Sequence, residues 1–240
     1  MTLHDKRFPN EPAAYRAARD ALLEAEIALR AQIEAVAAQR RALPPGGALK
    51  EDYVFVEGPR DLAADGPETK TTFSSLFGAQ DTLMVYSMMY KAGGNPCPGC
   101  TSLLDGLQGN VPQIEDRAAF AIVARAPIGT IREWARERGW RNPRFLSSGD
   151  TGYNVDYHAE AADGSQIPIL NVFHREKNGT IRHRWGIELL FVPPAAPDQH
   201  PRHGDMVWPL WNALDMTPGG RGDGFPDGTF RRSLEAIGKG

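Results

Sequence analysis

The stretch Thr82-Leu-Met-Val-Tyr-Ser-Met-Met-Tyr90-Lys-Ala-Gly-Gly-Asn-Pro96-Cys97-Pro98-Gly99-Cys100 decides the fold of this chain. Leu83 to Tyr90 is a short apolar run bounded by turn signals, so it reads as a buried strand. Lys91 to Pro96 is a glycine-containing turn, and a helical segment starts near Pro98 and closes at Pro112 and Asp116. The only two cysteines of the chain stand at this junction, and two cysteines placed at random among 240 residues rarely land three apart. Strand, C-x-x-C, helix is the setting of a redox-active dithiol. Cys97 is expected at the helix N-terminus, where unpaired N–H groups and the positive end of the dipole favour a thiolate. That makes Cys97 the attacking sulfur. Pro98 suits the first helical position because its missing N–H is not needed there, and Gly99 keeps the loop uncrowded. Cys100, one turn later, is expected to resolve the mixed disulfide.

Downstream, Ala118-Ala-Phe-Ala-Ile-Val-Ala124 is the next buried strand. Pro127 to Gly139 follows as an amphipathic helix, with Ile128, Ile131, Trp134 and Ala135 on one side and Arg132, Glu133, Arg136 and Glu137 on the other. This β-α-β-α order predicts an α/β sheet whose parallel strands are joined by crossover helices. Ile167 to Phe173 and Thr180 to Trp185 flank Lys177-Asn178-Gly179, and Asn-Gly between two such runs is a strong hairpin signal. The expected core is therefore a mixed sheet with helices on both faces. Strands near 83–90 and 119–124 are parallel and adjoin an antiparallel pair near 168–173 and 180–185. Upstream, Tyr53 to Val56 is a short strand candidate and Gly58 to Thr69 is turn-rich. Met206 to Met216, with Trp208, Leu210, Trp211 and Leu214, reads as a final aromatic helix. Its tryptophans are read as core before binding platform. The tail from Thr217 to Asp227 is glycine-heavy, and its Gly219 to Gly224 run lacks the preceding strand and the lysine of a phosphate loop.

From Ala13 to Leu43 there is no proline or glycine, and the composition is that of a long helix starting at Asn10 or Glu11 with Pro12. Tyr15, Ala18, Leu22, Ala25, Leu29, Ile33 and Val36 recur at steps of three and four, which makes a narrow apolar stripe. Two coverings are expected for Leu22, Leu29, Ile33 and Val36: the body of the protein, or a homodimer seam across a two-fold axis. Pro44-Pro-Gly-Gly47 ends the helix. The expected organisation is an N-terminal helical extension and linker over 1–49 and a larger domain over 50–240.

Pro168 carries a second signal. A proline at a strand start is confined to the first position or an edge, because it cannot donate to the ladder. With the dithiol, Ile167-Pro168 resembles the thioredoxin superfamily, in which a C-x-x-C at a helix start faces a distant cis proline. The resemblance covers roughly Phe73 to Trp185. It implies a thioredoxin-like mixed sheet, Cys97 as nucleophile, Cys100 as resolving thiol, and a cis Pro168 beside them. Departures are visible. Pro96 replaces the tryptophan before the first cysteine, Pro98-Gly99 replaces Gly-Pro, and the buried acid upstream of the dithiol has no clear counterpart, Tyr86 or Ser87 being the candidates for its place. More narrowly, Leu76-Phe-Gly78, Asp105-Gly106 after the dithiol, Ala124-Arg-Ala-Pro127, Arg138-Gly-Trp140 and Trp211 to Pro218 with Gly220-Arg221 resemble the bacterial family catalogued as domain of unknown function 899. That likeness spans the N-terminal helix to Arg221 and implies a fold and a dithiol, not a substrate.

Composition narrows the function. With 27 Lys and Arg against 30 Asp and Glu the net charge is −3, so no basic surplus exists for a phosphate backbone and nucleic acid is not expected as a partner. No apolar run approaches the roughly 20 residues that cross a bilayer, so no membrane partner is expected. Met1 to Asn10 lacks the apolar core of a signal peptide, and a cytoplasmic, reducing compartment is the expectation. The expected function is a thiol–disulfide oxidoreductase acting on a protein or small-molecule disulfide, with no metal or organic cofactor. The alternative is a non-catalytic binding or metal-carrying module on the same scaffold, and a peroxide-reducing activity is a third reading. A zinc or copper site needs further ligands, and His158, His174, His183, His200 and His203 show no repeated ligand spacing. Arg125 is a weaker candidate because it follows a strand end, where loops of open α/β sheets build sites. Tyr153, Asp156, Tyr157 and His158 lie in a turn-rich insertion that reads as a surface loop or the lining of a groove near the dithiol.

Overall fold

The computed structural model describes residues 3–149, 151–222 and 224–226, so Asp223 and the last residue of the glycine-heavy tail, Asp227, lie outside the described residues. The chain divides into two units, Met1–Pro44 and Pro45–Gly240.

The first unit is dominated by helix α1, Ala13–Ala42. Pro12 sits in extended backbone just before it, and the good helix formers between the two proline-bearing ends carry it for 30 residues. No residue of α1 is buried. Leu22, Leu29 and Ile33, expected under cover, are 52%, 59% and 58% exposed in the single chain, and Val36 is half-buried. The stripe alternates with alanines, which offer little apolar area for packing.

The second unit is a seven-stranded mixed sheet with strand order β2-β1-β5-β4-β3-β6-β7. Its strands are β1 Val54–Glu57, β2 Thr69–Thr72, β3 Thr82–Ser87, β4 Ala119–Ala124, β5 Arg144–Ser147, β6 Ile169–Arg175 and β7 Ile181–Gly186. Strands β3, β4 and β5 are parallel, and β6 and β7 run antiparallel beside β3. The crossovers contain α2 (Pro98–Leu107) with α3 (Val111–Glu115), and α4 (Ile128–Glu137). The hairpin forms at the Asn-Gly turn: Gly179 has φ +87°, and Asn178 Oδ1 accepts the Thr180 N–H at 2.9 Å. Two strands were not anticipated, β2 at the end of the turn-rich stretch and β5 after α4. Both have four residues, too few for periodicity to declare them.

Alternation along the strands builds two cores. Tyr86, Phe120, Ile122, Phe145 and Leu170 face one way and pack with Leu103 and Leu104 of α2 and Ile128, Ile131 and Ala135 of α4. Leu83, Val85, Ala121, Val123, Leu146 and Phe173 face the other way. Both faces carry helix, but unequally. Successive parallel neighbours β3, β4 and β5 step in one direction, so right-handed crossovers place α2 and α4 on the same face. The second face is covered by the 3-10 helix Phe73–Phe77 and the one-turn α5, Tyr153–Asp156. Gly47 and Leu49, expected in the linker, instead exchange backbone hydrogen bonds with His183 and Ile181 of β7, covering an edge that would otherwise expose its N–H and C=O groups. The final helix α6 is shorter than expected, Pro209–Asp215.

Strand β3 ends at Ser87, three residues before the apolar run does. Its last pair with β6 is Ser87 with Ile169, and the residue before Ile169 is Pro168, which has no N–H to extend the ladder. Met88 to Tyr90 leave the β6 side while keeping bonds toward β4: the Met88 N–H donates to Val123 O and the Ala126 N–H to Tyr90 O.

Candidate active site

Cys97 is the N-cap of α2, with φ −60° and ψ 125°, and Pro98 takes the first helical position. Its own N–H donates to Met89 O at 3.0 Å, which ties the dithiol turn to the end of β3, and its carbonyl accepts the Thr101 N–H at 3.0 Å. The sulfur does the work of a capping oxygen: the Cys100 N–H donates to Cys97 Sγ at 3.3 Å. Both cysteines are free thiols, Cys97 half-buried and Cys100 2% exposed.

The two thiols are pushed apart in acidity. The Cys100 side chain donates to Cys97, and together with the N–H groups of Cys100 and Gly99 it lowers the Cys97 pKa from 9.0 to about 6 against the opposing effect of burial. Cys100 moves well above its ordinary range, because its proton is held by Cys97 and because it is buried. A low-pKa, reachable sulfur beside a buried protonated one is the division of labour that thiol–disulfide exchange needs.

Of the two upstream candidates the strand period chooses one. Tyr86 lies on the same face as Cys100, 4% exposed, and its hydroxyl acts on the Cys100 thiol, opposing the rise in its pKa. Burial and the neighbouring thiol hold that phenol well above its ordinary pKa, so it stays a donor. Ser87 points through the opposite face. Its buried Oγ and the Tyr153 hydroxyl influence one another electrostatically, yet neither makes a hydrogen bond within normal geometry.

Ile167 and Pro168 stand just before β6, one step beyond the Ser87–Ile169 pair. The peptide bond between them is trans, which corrects the expected cis proline. The Ile167 N–H is bound to Ala159 O at 2.9 Å and Ile169 is already paired, so the chain enters β6 extended and keeps the isomer that X–Pro bonds favour by about 0.5–1 kcal/mol. Arg125 follows β4 at the same edge of the sheet. It lines an open cleft of about 440 Å³ with Lys91, Ser147 and Gln166, and it holds Glu160 through Oε1 and Oε2 at 2.7 and 2.6 Å.

The insertion residues lie elsewhere. Tyr153 is buried in the second core, and Asp156 accepts from Lys50 Nζ at 2.6 Å and from the Tyr53 hydroxyl at 2.8 Å. They line no groove near the dithiol, because α5 covers the face that Cys100 does not touch. Among the described residues no three His, Cys, Asp or Glu side chains gather where they would hold a metal. No described helix is long and apolar enough to cross a membrane.

One part of the site escaped the sequence reading. Trp208 packs on α2, its Nε1–H donating to Ser102 Oγ at 3.2 Å, and with Phe225 it covers Gly99. A Cβ on Gly99 would meet Phe225 Cζ at 2.7 Å and Trp208 Cη2 at 3.2 Å. The signal available was Gly99 itself, a helix residue with no side chain beside two cysteines.

The sequence profile of the family described as "Bacterial protein of unknown function (DUF899)" matches residues 5–235. The chain belongs to this family. Comparison with curated proteins gives no match. Among solved structures, AhpC of Enterococcus faecalis aligns at 11% identity and a TM-score of 0.44, covering 70% of this chain and 91% of that one. AhpC of Mycobacterium tuberculosis aligns at 16% and 0.44, covering 72% and 94%. The reduced 2-Cys peroxiredoxin of Plasmodium vivax aligns at 13% and 0.41, covering 58% and 70%. In this member of the DUF899 family, residues quoted above as resembling the family meet in space. Asp105 of α2 accepts from Trp140 Nε1 at 2.9 Å and from Arg138 Nε at 3.2 Å, joining the dithiol helix to the turn after α4. Arg221 grips Asp205 and Asp215 and lies over the Trp211 ring at 5.5 Å.

Proposed function

We propose that this protein is a thiol–disulfide oxidoreductase. The observation that carries the reading is the Cys97 sulfur at the N-terminus of α2, bonded by the Cys100 N–H at 3.3 Å and drawn down to about 6 beside a buried, protonated Cys100. The Cys97 thiolate attacks one sulfur of a substrate disulfide, forming a mixed disulfide and releasing the other sulfur as a thiolate. Cys100 then loses its proton and attacks Cys97 Sγ, which forms the Cys97–Cys100 disulfide and releases the second substrate thiol. Two electrons pass from the dithiol to the substrate. Tyr86 supports the second step as a donor to the Cys100 sulfur while its negative charge develops. Pro98 keeps the helix start free of a surplus N–H, and Gly99 contributes its N–H to Cys97.

The substrate class is a protein or small-molecule disulfide, and no bound cofactor is needed for these steps. Two free thiols suit a reducing, cytoplasmic compartment. The test is a redox titration of the two thiols with thiol-specific mass labelling, beside metal analysis of protein purified without chelator. The expected result is a reversible two-electron couple, a Cys97 pKa near 6 and no stoichiometric metal. An unactivated Cys97 that forms no disulfide at any poise, or stoichiometric zinc or copper, would sink the reading.

A further inference from the structure

Behind the rings that cover Gly99 lies a cavity of about 330 Å³, walled by Trp208, Trp211, Phe225, Arg202, Arg221 and His203 among others. Its size is at the lower end of small-molecule sites, roughly 300–1,000 Å³. Trp208 and Phe225 line the cavity and also stand against Gly99, whose N–H helps to hold the Cys97 thiolate. The cavity and the reactive turn therefore share two aromatic side chains.

Its chemistry selects a class of ligand. The three rings are mutually tilted, by 59° for Trp208 and Trp211, 89° for Trp208 and Phe225, and 44° for Trp211 and Phe225. No pair is stacked face to face, and although Arg221 lies over the Trp211 ring at 5.5 Å the three rings give the cavity an apolar wall. The wall charges cancel internally. Arg202 and Arg221 each bridge to both Asp205 and Asp215, two cations against two anions. An anionic ligand would have to displace a carboxylate that is already held, and a cationic one a guanidinium. Burial keeps His203 below its ordinary pKa and hence neutral at pH 7. What remains favourable is an uncharged, flat, apolar group.

We infer that this cavity binds a neutral aromatic group of the substrate, whose disulfide is thereby delivered to Cys97. The inference rests on the dithiol reading above and names its substrate class, an aromatic disulfide. In the reaction the Cys97 thiolate and the Cys100 thiol are oxidised to a disulfide, the aromatic disulfide is reduced and released as one aromatic thiolate and one aromatic thiol, and the Cys100 proton ends on a released sulfur. A small thiol reductant, dithiothreitol in the assay, returns the dithiol.

Two measurements on the full chain separate the cavity from the chemistry. The first is calorimetric titration with 4,4′-thiodipyridine, a neutral aromatic thioether with no S–S bond to attack. Saturable binding is expected, with weaker binding in Trp211→Ala. The second is the exchange rate of the reduced protein with 4,4′-dithiodipyridine relative to bis(2-hydroxyethyl) disulfide. That ratio is expected to fall roughly three- to tenfold in Trp211→Ala, as the loss of one aromatic contact implies. Titration of the Cys97 thiolate by its ultraviolet absorbance confirms that the dithiol turn is intact, and Trp211→Leu replaces the alanine variant if that fails to fold. No binding of the thioether, or an unchanged rate ratio, overturns the inference. Thioether binding without exchange toward either disulfide leaves the aromatic cavity standing and overturns the thiol chemistry instead.

Discussion

Phe225 fills the space that a side chain on Gly99 would need, 2.7 Å from the position of a Cβ. Phe225 is 67% exposed, whereas Trp208 is buried and bonded to Ser102. Gly99→Ala gains up to about 1 kcal/mol of helix propensity, displaces Phe225 and presses lightly on Trp208, so its net change is expected within about 1 kcal/mol. Gly99→Leu must also move Trp208 and is expected to lose about 1–3 kcal/mol, the usual cost of overpacking. Urea denaturation of the pair measures the difference, and equal losses would contradict the contact with Trp208.

The acidity of Cys97 sets two pH profiles. Alkylation by iodoacetamide is expected to reach half its plateau near pH 6, and Cys100→Ala, which removes the largest cause of the shift, moves that midpoint toward the ordinary thiol value. Stability follows the sign of each shift. Cys97 is an acid whose folded pKa is depressed from 9.0 to about 6, so its contribution is complete above 9 and is lost as the pH falls through 6. Cys100 is raised, so its contribution is present below its ordinary pKa and is lost above it. The urea midpoint of the reduced protein should therefore rise from pH 6 to about 9, and the rise should shrink in Cys97→Ser. A flat profile in both proteins would count against an activated thiol.

Tyr86→Phe removes the hydroxyl that acts on the Cys100 thiol and keeps the ring in the core. Its stability cost is expected to stay below about 1.5 kcal/mol, the upper end for one hydrogen bond. The kinetic effect falls on resolution rather than attack. Mass spectrometry during turnover is expected to show more substrate bound to Cys97 as mixed disulfide, with the alkylation rate of Cys97 little changed. Slower attack with no accumulation would place Tyr86 on the wrong sulfur.

Asp105 serves both Trp140 and the nearly buried Arg138. Asp105→Ala removes the carboxylate from Arg138 and the acceptor from Trp140, and a loss of about 1–3 kcal/mol is expected. Asp105→Asn keeps an acceptor for Trp140 and should lose less. Thermal unfolding of the two variants ranks them, and the opposite order would mean that the charge on Asp105 is not what holds the turn.

The stripe on α1 exposes Leu22, Leu29 and Ile33, and we propose that a second copy of the chain covers it. Light scattering of the full chain should then give twice 26.3 kDa, and the double substitution Leu29→Glu with Ile33→Glu should halve it. A wild-type mass of one chain defeats the seam.

The sequence by itself determined the elements long enough to declare a period and the turns whose chemistry is local. The α1 helix, the apolar runs of β3 and β4, the amphipathic α4, the Asn178-Gly179 hairpin and the C-x-x-C at a helix start all follow from neighbours in the chain, because propensity, capping and turn geometry are properties of short segments. Only the tertiary structure decided the rest. Strands β2 and β5 have four residues each and exist as strands because pairing with β1 and β4 supplies their hydrogen bonds. Tyr86 and not Ser87 meets Cys100 because a one-residue step in a strand reverses the face, and the end of β3 that sets the phase is fixed by Pro168 across the sheet. The trans Ile167–Pro168 bond lies between two tertiary anchors, the Ile167 N–H on Ala159 O and the Ser87–Ile169 pair. Trp208 and Phe225 cover Gly99 from more than a hundred residues away, a contact that no local rule encodes, since it depends on where the C-terminal chain returns and not on what surrounds Gly99 in the sequence.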